Sequence, residues 1–248
     1  MTLSPHRRLV LAILLIPSVV LVGLCALIYH HFHIDPPVET DDAARTSLLR
    51  CLRASLLAEE YPSDDLALPS TDWLVVRVFS EGRSIARFSL REGSLIANCA
   101  AARDMMAMEK AVALLPDDKR RHSQIQVDRV VARGPLLQSP EILASLALHP
   151  GLDGLGVSRE GEEFLLLNSE IVDAGLLSSN RPLSFVPDFV FGFDRGRAEQ
   201  LLLKQTKLSR EQWESRPREF FRFRSEAFVE SVYLGDSERR ETVSMVRG

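Results

Sequence analysis

No Walker loop, CxxC pair, HExxH or GxSxG occurs in this 248-residue chain, so the motifs of the commonest nucleotide, metal and serine chemistries are missing. Internal repeats and low-complexity tracts are also absent, which excludes solenoids and biased linkers. An excess of base is missing as well. Removing Arg7 and Arg8 from the 30 basic side chains leaves 28 against 34 acidic ones, a net charge of −6 that argues against a nucleic-acid partner. Met105, Met106 and Met108 have no Cys or His at ligand spacing, so they read as core filler, and neither a metal nor a cofactor is implied.

One long stretch lacks charge altogether. Leu9 to Tyr29, LVLAILLIPSVVLVGLCALIY, is 21 residues long; as a helix it would be about 31 Å, the thickness of a bilayer's hydrocarbon core. A cleaved signal peptide has a shorter apolar region and a small-x-small site, which Ala26-Leu27-Ile28-Tyr29-His30 does not offer. Leu24 stands where a lipoprotein signal ending at Cys25 would have a small residue. The stretch therefore reads as an uncleaved anchor, with the lipid bilayer as partner. His6, Arg7 and Arg8 precede it and Asp35, Glu39, Asp41 and Asp42 follow, so the N-terminus is expected in the cytoplasm and the main domain outside it, periplasmic in a Gram-negative bacterium.

The expected organisation is a cytoplasmic N-terminus over 1–8, an anchor over 9–32, an extended tether over 33–40 carrying Pro36-Pro37, one domain over 41–235 and a polar tail over 236–248. Thr40 reads as the cap of an amphipathic helix with Leu48, Leu49, Leu52, Leu56 and Leu57 on one face. Trp73 to Phe79 and Arg83 to Leu90 read as a hairpin around Glu81-Gly82, and Ser94 as the cap of a helix through Leu115. Gln124 to Val131 alternates as a strand, Gly134-Pro135 turns the chain, and Ser139-Pro140-Glu141 opens a helix that ends at His149-Pro150-Gly151. Leu155 to Ser158 and Glu163 to Leu167 form a second hairpin around Glu160-Gly161. Gly151, Gly154 and Gly156 lead out of a helix into a strand, whereas a phosphate loop leads from a strand into a helix, so they read as structural.

Further on, Asn168-Ser169, Asp194 and Ser209 each begin a helix, the last carrying Trp213, with an irregular Pro182 to Gly192 connection between. Glu219 to Tyr233 closes the chain as a strand with Phe221, Phe223, Ala227 and Val229 on one face and Arg222, Arg224, Glu226 and Glu230 on a solvated one. The fold class is α/β of the α+β kind: an N-terminal transmembrane helix, then a two-lobed domain of mainly antiparallel sheet with packed helices.

With its elements in this order the second half resembles the family named for the AMME chromosomal-region candidate protein, a widespread α/β domain of unassigned biochemical activity. The residues that carry the resemblance are His149-Pro150-Gly151-Leu152-Asp153-Gly154-Leu155, the stretch from Lys207-Leu208-Ser209 to Trp213, and Phe221-Arg222-Phe223-Arg224-Ser225-Glu226-Ala227-Phe228. The family signature Leu-Arg-Gly-Cys-Ile-Gly is replaced here by Ser84-Ile85-Ala86-Arg87-Phe88-Ser89. The resemblance implies the fold, while the signature's cysteine and glycines are gone.

Four groupings could carry function. His149 beside Asp153 can form a carboxylate-oriented general base, or the histidine can simply favour a helix C-terminus. Arg87, Arg222 and Arg224 would make an anion-binding patch if their strands adjoin. Cys51 and Cys99 are either a disulfide or two buried thiols. His30, His31 and His33 sit at the membrane edge as interfacial residues. The expected function is a membrane-tethered extracytoplasmic module that binds an envelope protein or a small ligand without turnover; the alternative is an enzyme with a cleft between two lobes using His149 and Asp153.

Overall fold

The computed structural model describes residues 17–27, 29, 33–34, 42–60, 73–91, 94–136, 148–149, 151–178, 192–206, 208–215, 217–230 and 242–244. The first helix, α1, covers residues 17–27 and leaves every side chain exposed, Val19, Leu21 and Val22 by 60% or more. Among the described residues no helix is long and apolar enough to cross a membrane, and residues 9–16, 28 and 30–32 of the expected anchor lie outside them. The same holds for the Thr40 cap, the helix opening at Ser139 and the connection from Pro182 to Phe191.

Helix α2 (Asp42–Leu57) buries Leu48, Leu49, Leu52 and Leu56, as its apolar spacing requires. Strands β1 (Leu74–Ser80) and β2 (Arg83–Leu90) form the expected hairpin. Its turn residues Glu81 and Gly82 both have positive φ, the type I′ geometry whose twist matches the strands. Ser94 caps α3 (Leu95–Met108), its Oγ accepting from Ala97 N–H at 3.2 Å. The single helix expected through Leu115 is divided: Glu109 takes an extended ψ of 105°, and α4 (Lys110–Ala113) starts afresh in a direction that buries Val112. Met106 and Met105 pack in the core, but Met108, at the break, is exposed rather than core filler. A short helix without apolar positions, α5 (Asp117–His122), was invisible to periodicity; its acids open it and its bases close it, as the helix dipole favours.

Strand β3 (Gln124–Pro135) runs on through Gly134-Pro135, where a turn was expected. Then follow β4 (Asp153–Arg159), β5 (Glu162–Leu166) and α6 (Asn168–Asp173). A small pair, β6 (Leu177–Ser178) with β7 (Gly192–Phe193), leads to α7 (Arg195–Gln205) and α8 (Arg210–Glu214), capped by Asp194 and Ser209 as expected. The last strands are β8 (Glu219–Glu230) and β9 (Thr242–Ser244), the latter within the expected polar tail.

All seven strands of the main sheet pair antiparallel, in the order β2-β1-β3-β8-β4-β5 with β9 against the far half of β8. The sheet curls, and Arg87 on β2 reaches the backbone of Leu165 on β5 at 2.6 Å. Two helix clusters lie on the face of β8 that carries Phe220 and Phe228. One packs α2, α3 and α4 on β1, β2 and β3; the other packs α6, α7 and α8 on β4 and β5. Inside the curl a third group gathers Val75, Val130, Leu165, Leu167 and Phe223 with Trp73 and Phe221. The fold is thus a mixed α/β arrangement of one curled sheet shared by two sets of helices.

Cys51 on α2 and Cys99 on α3 are joined by a disulfide, with Cα atoms 5.8 Å apart. It closes 48 residues of chain, which in the chain-entropy picture stabilises the fold by about 4 kcal/mol.

Strand β4 shows why its glycines are there. Gly154 pairs with Phe223 and Gly156 with Phe221, and a methyl group on either glycine would overlap the partner's ring. The rings lie over the bare backbone, the device by which aromatics cover glycines in sheets. Gly156→Ala is therefore expected to destabilise the domain by about 1–3 kcal/mol in denaturant melts, with Phe221→Leu in the same chain recovering part of the loss. Equal destabilisation in both backgrounds would show that the ring is not the cause.

Candidate functional site

Asp153, the first residue of β4, closes the tight turn before it. Leu152 and Asp153 N–H both donate to His149 O, at 3.1 and 3.0 Å, with Gly151 at a φ of +79°. Asp153 Oδ2 in turn accepts from His149 N–H at 2.9 Å and meets His149 Nδ1 at 3.0 Å. The carboxylate is fully buried while half of the histidine side chain is open to solvent. The sequence's most inviting polar pair is thus assembled, and by a turn rather than by the end of a described helix.

Two arginines from β8 share that carboxylate. Arg224 Nε donates to Asp153 Oδ1 at 3.2 Å, and Arg222 Nη1 lies 3.9 Å from Oδ2. Arg222 is completely buried, and burial pushes its pKa down; Asp153 opposes the shift and Arg224 adds to it. Arg222 Nη2 also donates to His33 O at 3.0 Å. Further along the same face Glu226 pairs with Arg45, and Glu230 pairs with Arg53, whose Nη2 also donates to Ser123 O at 2.7 Å. The face expected to be solvated is instead a column of ion pairs, buried at Arg222 and Glu230 and partly covered at Arg224 and Glu226. Alternation places the charges correctly, but α2 and the His33 segment cover them.

Arg87 does not join Arg222 and Arg224. Its strand β2 is separated from β8 by β1 and β3, so the three do not form the expected patch. Arg87 Nε instead donates to Glu170 Oε1 at 2.5 Å, and Glu170 also accepts from Leu167 N–H at 2.8 Å. Around it the curl holds a polar network that sequence reasoning did not single out. Glu163 receives both Nη groups of Arg133, at 3.2 and 2.8 Å, and the indole N–H of Trp73 at 2.6 Å. Arg77 donates to Asp128 at 3.0 Å. Burial raises the Asp128 pKa against the pull of Arg77. Burial acts the same way on Glu163, but Arg133 and Trp73 outweigh it and leave that carboxyl below its ordinary value.

A cavity of about 320 Å³ lies elsewhere, between Arg159, Glu160, Glu162, Leu208, Gln212 and Ser215. It opens at the other end of β4, about 20 Å from Asp153 at the rise of an extended strand. Arg159 is 93% buried there and donates to Gln212 O at 2.5 Å. Nothing in the sequence separates it from an ordinary solvated hairpin arginine. Among the described residues no group of three His, Cys, Asp or Glu could hold a metal ion. His33 stacks on Tyr29 at 5.0 Å between ring centres.

With this geometry established, known proteins give a view of the fold alone. No family model matches the chain, and no curated protein matches it. An uncharacterised protein from Pyrococcus horikoshii, known from a crystal structure, is similar at a TM-score of 0.54 and 15% identity, over 82% of this chain and 98% of that one. The likeness covers nearly the whole of the archaeal chain, so the curled sheet with its helices recurs as a unit.

Two outcomes follow. Asp153→Ala leaves the buried Arg222 uncompensated and is expected to cost about 3–5 kcal/mol in urea melts, whereas His149→Ala, at a half-open position, is expected to cost less than about 1 kcal/mol; equal costs would contradict the structural role given to Asp153. For Glu163, a depressed folded pKa means that its ion pair stabilises fully above the unfolded value of about 4.3 and is lost as pH falls through the folded value. Glu163→Gln should accordingly flatten the fall in stability below about pH 4.3, read from melts at stepped pH; an unchanged acid limb would remove Glu163 as its source.

Proposed function

We propose that this protein is a membrane-anchored, extracytoplasmic module of the AMME-region-like kind that binds a partner without turnover. The observation that carries the reading is α1. Eleven successive residues, none charged, form a helix that leaves every side chain exposed, and a helix apolar all round has no stable place in water. The Cys51–Cys99 disulfide supports the outward placement of the domain, because such bonds persist in oxidising compartments. The reading without turnover is supported by Asp153 also standing as counter-ion to Arg224 and to the buried Arg222. A carboxylate held this way serves as a counter-ion and a turn clamp.

A second reading is favoured by one observation. His149 Nδ1 lies 3.0 Å from the buried carboxylate while the ring is half exposed, so Nε2 is the nitrogen left for a substrate. In that reading the protein is an enzyme and His149 its general base.

Native mass spectrometry on the protein extracted with mild detergent from its own membrane separates the two. The expected result is a stoichiometric protein partner above the 27.8 kDa chain, retained in His149→Ala. A small-molecule adduct that disappears in His149→Ala would replace this reading with the second. In the same preparation Cys51 and Cys99 should resist alkylation until reduced; free thiols at both would overturn the oxidising placement.

A further inference from the structure

The chain leaving α1 does not dangle. His33 N–H donates to Tyr29 O at 2.7 Å, one helical turn back, and the two rings stack. His33 O is then taken by Nη2 of Arg222 at 3.0 Å. Gly134, paired across the sheet with Arg222, lies beneath: a Cβ there would sit 2.7 Å from His33 O, so this seat exists only because residue 134 has no side chain. The first residue of the expected tether, His33, is thus hydrogen-bonded back to Tyr29 and fastened to the sheet.

The depth of that seat follows from helix geometry. Tyr29 ends the apolar stretch, and His33 is four residues on, about 6 Å along a helix axis. The headgroup layer on each side of a bilayer is about 5–8 Å thick. His33 therefore falls at headgroup depth, and one guanidinium separates it from Asp153 and the His149 turn, since Arg222 touches both. At the tip of that turn Leu152 is 38% exposed, and the turn is tied through Gly151 O to Asn168 at 2.8 Å on α6, which carries the exposed Val172.

We infer that the His149–Leu152 turn rests on the outer headgroup layer, so that the partner met by His149 is the bilayer surface itself and not a molecule in the bulk. The inference rests on α1 being part of a membrane anchor. The opposite end of the domain, the Glu81-Gly82 turn, is about 30 Å away along β3 at strand rise and stays in water.

The test uses full-length protein in vesicles of phosphatidylcholine and phosphatidylglycerol at three to one, with Cys25→Ser and the Cys51–Cys99 bond kept. Single nitroxides are placed at Val20→Cys, Leu152→Cys and Glu81→Cys, and power saturation compares oxygen with a water-soluble nickel chelate. The expected result is a lipid-like ratio at position 20 and a ratio at 152 several-fold above that at 81. Equal ratios at 152 and 81, with 20 in lipid, would overturn the inference and leave the anchor standing. A water-like ratio at 20 would overturn both. Gly134→Ala, checked for an unchanged far-ultraviolet spectrum, is expected to unseat His33 and lower the ratio at 152 towards that at 81; no change in a folded variant would overturn the seat as the cause.

Discussion

Arg222 carries a guanidinium into the fully buried middle of β8, where an uncompensated charge would cost several kcal/mol. Everything near it is arranged around that cost. Asp153 supplies the opposite charge and is itself fixed by the turn it closes with His149. Gly134 gives up its side chain so that His33 O can accept from the same guanidinium. Three segments far apart in sequence, at 33, 134 and 153, are thereby tied to one side chain at 222, and the candidate site is a by-product of that tie.

Strand β8 makes such a role possible because it is long enough to serve both helix clusters. Phe228 packs with α2, α3 and α4, whereas Phe220 packs with α6, α7 and α8. Between these apolar ends the same face carries Arg222, Arg224 and Glu226, a polar seam where no helix could bury its stripe without cost. The opposite face turns Phe221 and Phe223 into the curl over Gly156 and Gly154. Filling the interior and charging the seam are thus two consequences of one alternation along a single strand.

Much of this was legible in the sequence where the information is local. Glu81-Gly82 and Glu160-Gly161 announced their turns, and Ser94, Asp194 and Ser209 announced their helices, because a cap or a positive φ depends on neighbours within four residues. The pairing of His149 with Asp153 is of the same range. What could not be read is what covers a face. Alternation put Arg222 and Glu230 on one side of β8, but burial there comes from His33 and from Arg53 on α2, more than 170 residues away. Gly154 and Gly156 read as turn glycines for the same reason, since the rings that occupy their empty space arrive from residues 221 and 223.

The balance between binding and turnover also rests on that long-range covering. Asp153 is shared among a backbone N–H, an imidazole and two guanidiniums, so the negative charge beside His149 is already matched by two arginines. Taking the acid away from Arg222 would leave a fully buried cation without its carboxylate, so the acid is held to its structural duty by the fold's own stability. A site built this way is cross-linked by several ion pairs and hydrogen bonds at once. That cross-linking fixes the shape of the turn on which the half-open His149 is presented to solvent.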